Sequence, residues 1–261
     1  WYFLVNAFKG DLGDSFIFGE PALKLILQRM PATLELACFS LFISLLVAIP
    51  LGIYAGYKPN SKVSKTIMAG SILGFSMPTF WVGIIFIMIF AVHLGWLPST
   101  GRGEIGVFLG IHSSLFTLDG LAHVFLPALN LALFKISSVI RLTRAGTREI
   151  ILQDYITFAR AKGLSEKRVV MVHVMKNILI PIVTVIGLEF GSLIAFSTVT
   201  ETVFAWPGMG KLIIDSIYNL DRPVIVAYLM IIVTFFVFLN LAVDILYTFL
   251  DPRVRIKGTE Q

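Results

Sequence analysis

The sequence predicts an all-α membrane protein that crosses the bilayer several times. Three observations carry this: an extreme composition, five long apolar runs, and basic residues gathered between those runs. Of 261 residues, 57% are hydrophobic and 14% charged, against about 45–50% apolar and about 25% charged in a soluble chain. That much apolar surface exceeds what a water-facing globule can hide. The net charge of +5 does not point to nucleic acid, because the basic residues lie in short linkers without interleaved aromatics. Cys38 is the one cysteine, which excludes an internal disulfide or a cysteine metal cluster. Its place in an apolar run reads as a small buried hydrophobe. No secretory signal is visible.

A helical span needs about 20 predominantly apolar residues. Residues 33–54, 67–92, 122–140, 178–199 and 224–249 qualify. Pro31, Pro127, Pro181 and Pro223 fall at or near the span starts, where a missing N–H is tolerated. Pro50 and Pro78 lie inside or near the ends of spans, where kinks are expected. Gly70 and Gly74, and Gly187 and Gly191 followed by Ala195, have the spacing that lets helix backbones approach closely. No internal repeat is obvious, which counts against an inverted-repeat transporter.

The basic residues set the topology. Lys58, Lys62 and Lys65, then Arg141, Arg144, Arg148, Arg160, Lys162, Lys167, Arg168 and Lys176, then Arg253, Arg255 and Lys257 fall on one side. The other side holds Lys9, Lys24, Arg29, Arg102, Lys211 and Arg222. The positive-inside rule places the richer side, and with it the C-terminus, in the cytoplasm. Residues 1–32 then form an external segment, 33–250 the transmembrane domain and 251–261 a cytoplasmic tail. An external N-terminal segment without a signal implies a preceding span.

The linker at 141–177 is too polar to span and too regular to be a floppy connection. Ile151, Tyr155 and Phe158 recur on one helical face. Gly163 then stands where a helix ends in a left-handed residue. Ser165 is placed to cap a second helix with Glu166 in its first turn, and Val169, Val172 and Lys176 share a face. The expectation is a helix, a glycine turn and a second helix, at about 147–177. A glycine there has two readings: it ends a helix and no more, or it shapes a projection that docks in a partner's groove.

Ala159-Arg160-Ala161-Lys162-Gly163-Leu164-Ser165 follows Asp154-Tyr155 and precedes Asn177 and Pro181. This segment resembles the cytoplasmic loop of the permeases of ATP-binding cassette (ABC) importers, in the dipeptide, oligopeptide, nickel and glutathione branch. The family's broad pattern is not fully kept. Thr157 replaces the acid and Phe158 the first alanine, Ala159 and Gly163 stand, and His173 and Lys176 fall where isoleucine and proline belong. The likeness runs along nearly the whole chain: Gly10-Asp11-Leu12-Gly13 with Ser15; Arg29, then Pro31-Ala32-Thr33-Leu34-Glu35-Leu36; Pro78 with Phe80-Trp81; Leu94-Gly95-Trp96-Leu97-Pro98; Glu201-Thr202-Val203-Phe204 with Trp206-Pro207-Gly208-Met209-Gly210; and Leu250-Asp251-Pro252-Arg253.

The resemblance implies a type I ABC importer permease bundle with five spans present and one more before them. It implies a second homologous permease, two ATPase subunits and an external substrate-binding protein as partners in the bilayer. ATP and Mg would be bound by the ATPases, with no cofactor on this chain. It assigns residues 159–165 to ATPase coupling, and Trp206, Pro207, Gly208, Met209 and Gly210 to an external gate or binding-protein contact. Trp206 also reads as an interfacial anchor.

Ionisable residues at membrane depth are costly and point to function. Glu189, between Gly187 and Gly191, is placed on the translocation path or permease interface. Lys135 and Asp244 read as snorkelling to an interface, and Glu35 as a first-turn residue favoured by the helix dipole. No HExxH is present, and Gly208, Gly210 and Lys211 match only part of a phosphate loop, so the chain is not expected to be an enzyme. The rival reading is a self-contained channel or ion-coupled transporter, which offers no reason for a 37-residue basic linker.

Overall fold

A computed structural model describes residues 10–250. Lys9, the tail at 251–261 with Arg253, Arg255 and Lys257, and the motif residues at 251–253 lie outside the described residues. The helices are α1 (Ala22–Tyr57), α2 (Lys62–Ser76), α3 (Thr79–Phe86, continuing as a π-helix over Ile87–His93), α4 (Leu118–Ile151), α5 (Asp154–Ala161), α6 (Glu166–Arg168), α7 (Met175–Val203), α8 (Met209–Tyr218) and α9 (Arg222–Leu250). A small hairpin pairs β1 (Gly106–Phe108) with β2 (Ile111–Ser113), Val107 opposite His112. Its turn is made by Leu109 and Gly110, both at positive φ.

Among the described residues, α1, α4 and α9 are each long and apolar enough to cross a membrane. The predicted second span is broken. Pro78 pushes Met77 into extended backbone at φ −85°, ψ 136°, and the chain restarts as α3 at Thr79. α1 begins at Ala22, well before the expected start at residue 33, and runs through Pro31 and Pro50. At 36 residues it is about 54 Å long, more than a hydrocarbon core of about 30 Å requires. The segment expected to be external is therefore helical from Ala22 onward, and Glu35 is a mid-helix residue, not a first-turn one.

The chain divides into two compact units. The first comprises Trp1–Ser40, Pro78–Leu131 and Gly191–Phe238; among its fully buried side chains are Ile26, Leu36, Leu126, Leu193, Phe204 and Trp206. The second comprises Leu41–Met77, Ala132–Phe190 and Leu239–Gln261. Its core joins Ile53, Ile156, Ala159, Val169, Val174, Ile178 and Ile182.

Stretches of α1 and α9 depart from the burial pattern of a soluble bundle. On α1 the buried positions include Thr33, Ser40, Ser44, Ala48 and Ala55, whereas Phe42 and Leu46 are exposed. Cys38 lies on that same exposed face, one helical turn before Phe42, so it is not the buried hydrophobe expected from its apolar run. On α9, Leu229, Val233, Val237, Leu241 and Ile245 form an exposed stripe at four-residue spacing. Small and hydroxylated residues inside with large apolar ones outside is the arrangement a lipid solvent selects, because lipid solvates leucine as well as protein does.

The close helix contacts fall at a glycine pair that the spacing analysis passed over. A Cβ on Gly52 would lie 2.5 Å from Thr143 Cβ, and one on Gly56 would lie 2.6 Å from Thr147 Cβ, so α1 packs backbone-first on α4. Around Gly70, by contrast, there is open space. Gly187 is packed by Val243, and Gly74 has Ser137 Oγ beside it.

Candidate functional site

The linker forms an elbow. α4 ends at Ile151, Gln153 is extended at φ −75°, ψ 146°, and α5 restarts at Asp154. The restart changes which face is inward. Ile156 and Ala159 are buried, whereas Tyr155 and Phe158 are 43% and 61% exposed, so the expected Ile151, Tyr155 and Phe158 stripe is not the packing face. α5 closes with Gly163 at φ +77°, the left-handed conformation expected there. Gly163 N donates to Arg160 O at 2.9 Å and Leu164 N to Ala159 O at 3.3 Å. These are the paired bonds of a Schellman stop, and Leu164 packs back on the core to which Ala159 belongs.

Ser165 occupies the N-cap position of α6 in extended backbone, but its side chain makes no capping bond. Glu166 turns instead to Arg160, whose Nε donates to Oε1 at 2.9 Å and Nη2 to Oε2 at 3.3 Å, and to Tyr57, whose hydroxyl donates to Oε2 at 2.7 Å. Arg160, and next Tyr57, hold the Glu166 carboxyl below its ordinary range. A π-helix over Val169–Val174 follows, and its wider turn spaces the buried residues by five, Val169 to Val174, before Ile178 and Ile182 continue at four. The expected Val169, Val172 and Lys176 face is thereby lost: Val172 and Lys176 are exposed. Of the proposed coupling residues, Ala159 faces the core and Arg160 and Leu164 are half-buried. Ala161, Lys162, Gly163 and Ser165 stand exposed at the tip. Lys162 Nζ lies 4.6 Å from the Phe158 ring centroid, within cation–π range.

A second constellation surrounds the segment after α7. Ala205 adopts φ +48°, and Trp206 N donates to Glu201 O and Gly208 N to Trp206 O, each at 2.8 Å, closing a tight turn before α8. Trp206 is fully buried, with Nε1 donating to Ala32 O at 2.9 Å. It is therefore a peg in the protein interior and not an interfacial anchor. Glu201, quoted within the family motif but given no role by the sequence reading, is fully buried. Its Oε1 accepts from Thr33 Oγ1 at 2.7 Å and Ser197 Oγ at 3.0 Å, and its Oε2 accepts from Lys211 N at 3.0 Å. Met209 N donates to Thr33 Oγ1 at 2.8 Å. Gly208 precedes α8 without a capping side chain, so Glu201 and Thr33 take over its first N–H groups. A Cβ on Gly208 would overlap the Glu201 carboxylate. Gly208, Met209 and Gly210 are all buried and Pro207 half-buried, so this segment holds its place from within.

In the second unit Lys135 is buried and donates to the half-exposed Glu189 carboxylate. Lys135 thus does not snorkel; it neutralises the acid that the sequence placed on the translocation path. Gly191 is buried and Gly187 half-buried. In the first unit Glu35 is buried, ion-paired with Arg102 and hydrogen-bonded by Ser114.

Comparison with known proteins adds the following. A family model described as binding-protein-dependent transport system inner membrane component matches residues 48–256. The chain is 40% identical to the dipeptide transport system permease protein DppB of Haemophilus influenzae, over 97% of this chain and 79% of that protein. It is 39% identical to the oligopeptide transport system permease protein AppB of Bacillus subtilis, over 96% of this chain and 78% of that one. Among solved structures it resembles a chain of the inward-facing MetNI methionine ABC transporter with a TM-score of 0.70, at 18% identity, covering 88% of this chain and 97% of that chain. That likeness is one of fold.

Proposed function

Because the chain belongs to the family of binding-protein-dependent inner-membrane transport components, we propose that it is the permease subunit of an ABC importer that carries di- or oligopeptides, or a related cargo such as a nickel complex or glutathione, into the cytoplasm. The elbow is the observation that carries the mechanism. It is a Schellman-closed tip, exposed at Ala161, Lys162 and Gly163, with open space around Gly163, flanked by exposed Tyr155 and Phe158, and rooted in an apolar core. Such a body enters a groove on a partner and passes on a rigid-body displacement.

In this reading five spans cross the membrane, with the elbow and the C-terminus in the cytoplasm. The permease pairs with a homologue, each elbow seats in one of two ATPase subunits, and a substrate-binding protein docks outside. The ATPases bind ATP and Mg and supply the hydrolysis; this chain holds no cofactor. Closure of the ATPase pair moves the elbows, and the bundle exchanges between two packings that the ATPases bias differently. Glu189, with Gly187 and Gly191, lines the translocation path or the permease interface. The segment from Trp206 to Gly210, fixed by Glu201, is the rigid support of the outer gate.

Gly163→Arg tests the reading. A β-carbon is strained at φ +77°, and the long side chain blocks docking at the tip. Tagged full-length protein is expected to bring down an ATPase subunit in mild detergent, and the variant to lose both that subunit and uptake of labelled peptide. Uptake and copurification unchanged by Gly163→Arg would refute it.

A further inference from the structure

We infer that Tyr57, Glu166 and Arg160 form a strap that ties the elbow to the last turn of α1 and makes that helix the receiver of the elbow's displacement. The inference rests on the permease reading above. One carboxylate joins three elements: Tyr57 is the last residue of α1, Arg160 lies in the last turn of α5, and Glu166 opens α6. The bonds are 2.7 Å from Tyr57 and 2.9 and 3.3 Å from Arg160.

Beneath the strap, Ile53, one turn earlier on α1, belongs to the same core as Ile156, Ala159, Val169 and Val174. Apolar burial is non-directional and permits the elbow to slide across α1, whereas hydrogen bonds to a planar carboxylate weaken steeply with angle and fix its direction. A strap beside an apolar cushion therefore resists shear where the cushion alone does not. From there the load passes on without slack, because Gly52 and Gly56 bring α1 onto Thr143 and Thr147 of α4 with no room for a β-carbon.

The exposure of the strap argues in the same direction. Arg160 and Glu166 are 36% and 50% exposed, and pairs so placed add little to folding stability. Their arrangement is better matched to orienting the elbow than to holding the fold together. Variants of the strap are thus expected to fold, insert and assemble, and to fail in coupling.

The test uses the complete complex in proteoliposomes, with peptide uptake and ATP hydrolysis measured in the same vesicles and ATPase copurification as a control. Tyr57→Phe removes the link to α1 while leaving the Arg160–Glu166 pair and the elbow surface intact. It is expected to lower peptide taken up per ATP hydrolysed several-fold with copurification unchanged. E166R, outside the residues assigned to ATPase coupling, is expected to do the same. A wild-type ratio in Tyr57→Phe and E166R would overturn the strap while leaving the permease reading intact. A wild-type complex that neither hydrolyses ATP nor moves peptide would overturn the permease reading, and the strap with it.

Discussion

Replacing Glu201 with alanine should destabilise the protein more than any other single carboxyl deletion around α8, and the structure sets the size of the effect. Thr33 Oγ1–H loses its acceptor in a fully buried setting, which costs about 1–3 kcal/mol. Lys211 N–H loses its cap, worth about 1 kcal/mol. Ser197 loses little, since its hydroxyl also reaches Ile194 O at 2.7 Å. The sum is about 3 kcal/mol, before any collapse of the vacated space. Glu201→Gln keeps the shape and one carbonyl acceptor but sets an amide NH2 against Lys211 N–H, so about half that loss is expected. Gly208 supplies an internal control. Gly208→Ala drives a methyl group into the carboxylate of the wild type, whereas on Glu201→Ala the space is open, so the two substitutions should be less than additive. Denaturant unfolding of the wild type, the three single variants and the Glu201→Ala/Gly208→Ala double variant in one mild detergent measures all of this. Glu201→Ala within about 0.5 kcal/mol of wild type, below any of the magnitudes just used, or strict additivity with Gly208→Ala, would refute the capping account.

Two further outcomes follow from the same geometry. Gly56→Ala is expected to destabilise by about 1–3 kcal/mol, because its Cβ would meet Thr147 Cβ at 2.6 Å and Arg144 O at 2.8 Å, while Gly70→Ala, in open space, should gain up to about 1 kcal/mol of helix propensity; thermal unfolding in detergent separates them. For Glu166, Arg160 and Tyr57 hold the folded-state pKa below the ordinary 4.5, so the strap's contribution is complete above that ordinary value and is lost as pH falls through the lowered one. Protease cleavage at the elbow is expected to be unchanged between neutral pH and mild acid and to accelerate only at lower pH.

The long apolar helices α1, α4 and α9 were legible because a run of about 20 apolar residues has few other uses, and the stop at Gly163 was legible because a left-handed residue ends a helix in a recognisable composition. Which side of a span faces protein was not legible. In lipid, apolarity no longer separates inside from outside, so Cys38 and Phe42 look like core and are exposed, while Ser40 and Ser44 look like surface and are buried. Glycine spacing held at Gly187, which packs on Val243, but only in part at Gly70 and Gly74. Gly70 and Gly74 have the same separation as Gly52 and Gly56, but Gly70 stands in open space and Gly74 alone meets a neighbour, Ser137, whereas both members of the second pair press on a facing residue, Thr143 and Thr147, and the facing residue is not written in the glycine motif. The elbow's inward faces were misassigned because the break at Leu152 and Gln153 and the π-turn at Val169–Val174 each shift the helical phase that periodicity assumes constant.

The buried acids show why an ionisable residue among apolar neighbours is an ambiguous sign. Glu35, Glu201 and Asp221 are each buried within the first unit, and each anchors a connection. Glu35 takes Arg102 and Ser114 from the segment around the β-hairpin. Asp221 takes Ser15 Oγ at 2.5 Å and Phe16 N at 3.1 Å from the loop before α1, and Glu201 takes the start of α8. A connection leaves N–H and hydroxyl groups that no helix ladder satisfies, and these must find acceptors if they are buried. A carboxylate offers about four acceptor sites on one short stem, so one acid does what several neutral side chains would otherwise share. Ser15, Thr33, Glu35 and Glu201 belong to the motifs by which this chain resembles its family. Their geometry assigns those motifs to loop anchoring, whereas Glu189, half-exposed, is ion-paired with the buried Lys135.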